Sequence, residues 1–475
     1  FGNVTVRAGS VGVAGTNGLT LNGNLKVETG AIFSGGTNSS LTNSIGSIEI
    51  DGGTFYGSSG SAGITYNIAG DVVINSGTFY STYLTGTEDL PTNLYYIGGS
   101  FENNGTYYAR NRATGGYPSY YFSGCYEALK FANSGTESQC NHYIRLESNA
   151  HYTLAGDLYM YDYRTFSVQG YLDAGTCSVR SSSTNDASIS ISGHVKTAHP
   201  GGLFGYGYGT FCILHASSLA MGPESTIEYW TNGSQTFSPH GQYKNVALLG
   251  GGVVTLTGEA TISTSLLVDS SLAIHGTLNV NGSLNGICGI SGSGTLVIGG
   301  NGEALNLLTT DINNLTVNRS AGCNLAGNLT VYNLTITLGN LCVGANTLTL
   351  NQNLNCYSGT LVTDPASTLV INDNNSGIYL PALSVGTFLL NRASYQTNLN
   401  GNLTVYTALV LQSGTLNIST HTLTLYGSFS RVNGSIYAHN GTVAIGPGDT
   451  DLNWYSSNIN SMNLKNPRLI GFGVS

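Results

Sequence analysis

Charge is the scarcest property of this sequence. Asp, Glu, Lys and Arg together make up 8% of its 475 residues, against about a quarter in an ordinary soluble domain. The few Lys and Arg form no basic cluster, so the electrostatic footprint that nucleic acid demands is missing. No run of about 18 apolar residues occurs, which excludes a membrane-spanning helix. The eight Cys include no CxxC and no Cys/His group at zinc spacing. No secretory leader is visible and the chain starts Phe1-Gly2-Asn3-Val4 without Met. The expectation is a processed secretory protein or a segment of a longer one.

Small, neutral residues stand where charge would. There are 66 Gly, and Asn, Ser and Thr are abundant. Apolar residues still reach 40%, enough for a core and too much for a disordered chain. A net charge of −9 is spread thinly.

Repetition points to the fold. Asn314-Leu315-Thr316-Val317-Asn318-Arg319 returns as Thr387-Phe388-Leu389-Leu390-Asn391-Arg392, 73 residues on. Ala326-Gly327-Asn328-Leu329-Thr330-Val331 returns as Asn400-Gly401-Asn402-Leu403-Thr404-Val405 after 74, and Thr347-Leu348-Thr349-Leu350 as Thr422-Leu423-Thr424-Leu425 after 75. Within each unit Leu, Ile and Val alternate with Thr, Asn and Ser, which makes short strands with one apolar face. Asn-Gly, Ser-Gly and Gly-Asn punctuate them. A strand of four or five residues cannot bury that face alone, but a stack of coils buries it coil upon coil. The predicted fold is therefore an all-β parallel β-solenoid, an elongated rod with supra-repeats of about 74 residues. At about 20 to 25 residues per coil each supra-repeat holds about three coils. A β-sandwich uses similar strands but does not need this self-similarity. Asn suits the solenoid, because equivalent residues about 4.8 Å apart can hydrogen-bond to each other where charges would repel.

Three sections are distinguishable. Residues 1–80 read as an N-terminal solenoid and residues 151–475 as a solenoid with tandem repeats, clearest over 245–475. Residues 81–150 are Tyr-rich, with the Leu-Thr alternation faded, and are expected to be an irregular section or loops on the solenoid.

Ser225-Thr226-Ile227-Glu228-Tyr229-Trp230, Gly233-Ser234-Gln235-Thr236-Phe237-Ser238 and Tyr243-Lys244-Asn245-Val246-Ala247-Leu248, with the Gly-Asn-Leu-Thr-Val and Thr-Leu-Thr-Leu units, resemble phrases of very large repetitive surface proteins of Bacteroidota. That resemblance covers residues 225–475 and, more loosely, 1–80. It implies a secreted adhesin or surface filament of the type IX secretion style, without a sorting domain in this sequence, and hence an extracellular or cell-surface location.

Enzyme chemistry is the rival, because many parallel β-helices are polysaccharide lyases or hydrolases and such hydrolases need converging carboxylates. The nearest acidic groupings are Glu88-Asp89, Asp449-Thr450-Asp451 and Asp157 with Asp162, each readable as a solvated turn. No catalytic residue is assigned and no enzyme activity is expected, with a polysaccharide-binding or polysaccharide-degrading protein as the alternative. The nine His are scattered and read as turn or surface residues. Asn372-Asp373-Asn374-Asn375 and Asp449-Thr450-Asp451 carry oxygens that suit Ca²⁺ but match no recognised loop, so no cofactor is assigned.

Residues 56–171 hold 18 of the 30 Tyr. Two readings stay open: ladders that pack the solenoid, or a glycan-binding surface built from Tyr95, Tyr96, Tyr107, Tyr108, Tyr120 and Tyr121. For disulfides the sequence separations favour Cys125 with Cys140 and Cys342 with Cys356. Neither end reads as a polar cap, so the expected partners are further segments of the same chain or copies of it, end to end.

Overall fold

The computed structural model describes residues 1–37, 41–83, 92–110, 117–130, 143–160, 164–180, 187–205, 209–213, 218–372, 377–438, 440–445 and 468–471. Among them there is no α-helix, and the paired strands run parallel, each in register with the strand one coil on. The protein is a parallel β-solenoid. It divides into two compact units, residues 1–238 with 243–250, and residues 239–242 with 251–475.

In the second unit the coil is short. Val253 pairs with Ser271 18 residues on, Leu315 with Leu334 19 on, and Leu348 with Leu369 21 on. A tight coil has room for aliphatic side chains only, and these form the inward columns. Leu329, Val331, Leu348, Leu350, Leu403, Val405, Leu423 and Leu425 are all buried, as the alternation predicts. Each such Leu removed from water contributes about 1.5–3 kcal/mol.

The 74-residue spacing is three coils and part of a fourth. From Leu329 the column runs through Leu348 and Leu369 to Phe388 and then Leu409. Leu403 stands in a different column, with Leu383, Leu423 and Val443. Successive sequence copies therefore fall on different faces of the coil, which is possible because every face asks for the same thing: apolar inward, Thr or Asn outward.

Corners and outer surface follow from side-chain size and hydrogen bonding. At one corner a Cβ added to Gly276 would run into the carbonyl of Gly258, and one added to Gly294 into that of Gly276, so backbone packs on backbone there. On the outside Asn353 Nδ2 donates to Asn333 Oδ1 at 2.8 Å, and Asn333 Nδ2 to Asn314 Oδ1 at 2.9 Å. Asn417 and Asn398 make the same bond at 2.9 Å. Asn328 and Asn402 accept from the backbone N–H of Thr347 and Thr422, one coil on. Charge enters the interior at Arg319, 4% exposed. Its Nε donates to Glu303 O at 2.6 Å, and its Nη1 lies 2.7 Å from Gly299 O and 3.1 Å from the carbonyls of Asn281 and Gly282.

The first unit has wider coils, from 19 residues between Ile227 and Val246 to 32 between Val195 and Ile227. Aliphatic side chains do not fill that width, and rings do. Tyr66, Tyr95 and Tyr120 stack at 4.8 Å per step inside the coil. Phe33, Phe55 and Phe79 form a second inner stack, at 5.4 and 4.7 Å. Tyrosine hydroxyls need partners when buried. Tyr95 donates to Ser81 O at 2.8 Å, Tyr66 to Gly57 O, and Tyr107 to the Tyr120 hydroxyl at 3.0 Å.

This packing revises the reading of residues 81–150 as a separate section. The column Tyr66–Tyr95–Tyr120–Ile144–Phe166 passes straight through it in register. Its described strands belong to the coil stack, and the faded Leu-Thr alternation is replaced by aromatic residues on both faces.

Candidate functional site

Strand alternation sorts the six candidate tyrosines. Tyr95, Tyr107 and Tyr120 point inward and are at most 3% exposed, so as glycan contacts they are corrected: their rings fill the wide core. Tyr96, Tyr108 and Tyr121 point outward. Tyr108 stacks on Tyr80 at 4.7 Å, and Tyr80 lies 5.3 Å from Tyr56. Tyr96 stacks on Tyr121 at 4.8 Å with their planes 15° apart. Both earlier readings hold, on opposite faces of the same strands.

Tyr96 also forms part of a cleft. Its strand, Leu94–Ile97, pairs with Thr65–Ile68 on one side and Ser119–Phe122 on the other. The outward column through it reads Ser44, Asn67, Tyr96, Tyr121, Arg145. Where that column drops from Tyr96 to Asn67 a cavity of about 590 Å³ opens, lined by Leu21, Asn22, Ser44, Asn67, Tyr96 and Ser123 among others. None of its lining residues is Asp, Glu, Lys, Arg or His. Beyond Tyr121, the Arg145 guanidinium lies 5.9 Å over the Tyr121 ring and is held by Glu147 at 3.1 Å.

The described acids lie elsewhere and are matched with cations. Lys26 Nζ reaches Glu49 at 2.9 Å and Asp51 at 3.1 Å across the coil step. Lys196 pairs with Asp173 at 3.1 Å and lies 5.1 Å over the Trp230 ring. Asp157 is bound by Arg180 at 2.8 Å and accepts from Ser178 N–H at 2.9 Å, which is a structural role. Its proposed companion Asp162 lies outside the described residues, as do Glu88, Asp89, Asp449, Thr450 and Asp451. Asp373, Asn374 and Asn375 of the other Ca²⁺ candidate lie outside them too. Among the described residues no three His, Cys, Asp or Glu side chains are grouped to hold a metal ion.

Sequence reasoning missed a second outer column. Tyr126, His151, Tyr171 and His194 stack ring on ring at 4.4, 4.3 and 4.6 Å, and His194 Nε2 meets Glu228 at 3.0 Å. These His look isolated in sequence because each one's partner is a full coil away. Burial raises the Tyr171 phenol to about 12.

The expected Cys342–Cys356 disulfide is corrected. Both thiols are free. Cys342 stands in register with Val362, and Cys356 with Ile336, on different strands of the coil. Cys125 is free and exposed, and Cys140 lies outside the described residues. Cys323 is buried, which pushes its thiol up to about 12 and makes it inert at neutral pH.

No family model, curated protein or solved structure matches the chain. Its fold is a shape that adhesins and enzymes share, and the solenoid alone is compatible with an adhesive surface protein and with a carbohydrate-binding or carbohydrate-degrading one.

Proposed function

We propose that the chain is a structural and adhesive protein of the cell exterior, a stalk or filament component rather than an enzyme. The observation that carries this reading is the make-up of its outward columns. Neutral Asn, Ser, Thr and Tyr recur coil after coil, and the asparagines join neighbouring coils directly, as Asn314, Asn333 and Asn353 do. Such a surface offers many weak, additive contacts and no general acid poised beside a base. The likeness of its repeat phrases to large surface proteins of Bacteroidota supports the same reading, and type IX export would be its corollary.

Beads coated with the purified chain and washed over polysaccharide-coated and matrix-protein-coated surfaces test the proposal, with reducing-end release measured in parallel. Retention without depolymerisation is expected. Failure to stick to any surface, or turnover of a polysaccharide, overturns it.

A further inference from the structure

We propose that the cleft beside Tyr96 binds a neutral polysaccharide, with the Tyr96 ring as the platform on which one sugar stacks. The proposal rests on the adhesive reading and names its ligand class.

The outward column supplies the first reason. Tyr121 covers one face of Tyr96 at 4.8 Å. The next place on the other side is held by Asn67 and the one after it by Ser44, neither large enough to cover a ring. Tyr96 is left 43% exposed at the wall of the cavity. An aromatic face in that position receives the C–H face of a pyranose, whose fit is apolar and shape-driven.

The remaining lining selects the ligand. Asn22, Ser44, Asn67 and Ser123 carry amides and hydroxyls that both donate and accept, as sugar hydroxyls do. With no cation or carboxylate in the lining, the cleft gives a charged sugar no counter-ion, and it has no acid–base pair with which to cleave a neutral one. A peptide cannot add as an extra strand, because Thr42–Tyr56, Thr65–Ile68 and Leu94–Ile97 each have partners on both sides. The cleft crosses five coils, from Leu21 through Ile45, Ile68 and Gly98 to Ser123. Its length fits a chain of sugars better than a single ring.

The test compares the intact chain with Tyr96→Ala, Tyr96→Phe, Asn67→Tyr and, as a control in the other unit, Tyr406→Ala. Binding of neutral gluco-, manno-, galacto- and xylo-oligosaccharides is measured by array and calorimetry, and melting curves establish that each variant is folded. Tyr96→Ala should weaken binding about ten-fold or more, and Tyr96→Phe should stay within about two-fold, because the stacking face survives. Asn67→Tyr adds a rung to the stack, covers the free face and should abolish binding without removing any contact. Tyr406→Ala should change nothing. Unchanged binding in both Tyr96→Ala and Asn67→Tyr overturns the assignment. Bead retention with no neutral-glycan binding also overturns it while leaving the adhesive reading standing, whereas loss of both defeats the two together.

Discussion

Asn353 donates to Asn333 across 2.8 Å, one coil apart, on the outside of the second unit. Asn333 passes the pattern on to Asn314 at 2.9 Å. Each amide uses its donor toward one neighbour and its carbonyl toward the other, so the middle residue serves two bonds. Asn333→Ala should cost about 1–3 kcal/mol, two partly exposed hydrogen bonds at the usual net value. Asn333→Asp should cost at least as much, because it loses the donor and adds a charge. Urea unfolding of the two variants checks both figures.

Arg319 occupies the interior without a carboxylate partner and satisfies backbone carbonyls from neighbouring turns. Arg319→Met keeps much of the volume but leaves those carbonyls without their donors, and should destabilise by about 3–5 kcal/mol. Arg319→Lys retains the charge without the planar fork and should fall between Met and wild type. A guanidinium chloride titration that places Met beside wild type would disprove the anchoring role.

Burial holds the inner phenols of the first unit above their ordinary value of 10.0, to about 12 for Tyr229 and well above it for Tyr95, Tyr120 and Tyr243. A phenol raised in the folded state contributes its full stability below the unfolded value, and that stability drains away as pH rises from about 10 through the folded value. Tyr229 alone should cost about 2 kcal/mol by pH 12. Phenolate absorbance should therefore rise in two stages, first the outer tyrosines and then a cooperative step that coincides with loss of β circular dichroism. Smooth titration of all tyrosines with the fold intact would contradict the inner stack.

Gly276 leaves no room for a side chain, because its missing Cβ would meet the Gly258 carbonyl. Gly276→Ala should destabilise by about 1–3 kcal/mol or more through forced separation of the coils. Gly377 is the comparison: the nearest atom to an added Cβ there is 3.6 Å away. Gly377→Ala should be close to neutral in the same thermal melt.

The candidate site was half legible. Tyr density singled out the right strands, and alternation implies that adjacent tyrosines face opposite ways. It does not say which of Tyr95 and Tyr96 looks inward, since an aromatic residue suits either face. In the Leu-Thr strands the polar residue marks the outside, which is why Leu403 and Val405 could be placed without coordinates.

Composition and alternation determined the architecture: too little charge for an ordinary globular surface, apolar residues at every second place, and Asn where stacked coils tolerate it. Neighbours across the stack were decided only by tertiary structure. A solenoid residue touches the residue one coil away, and the coil varies from 18 residues between Val253 and Ser271 to 32 between Val195 and Ile227. Leu315 and Phe388 share a place in the sequence repeat, yet Phe388 stands in the Leu329 column and Leu315 in the Leu334 column. The Tyr126–His151–Tyr171–His194 stack and the cleft at Tyr96 depend on the same variable step. Hydrophobic patterning sets which way a side chain points, but only the closed length of each coil sets what it meets.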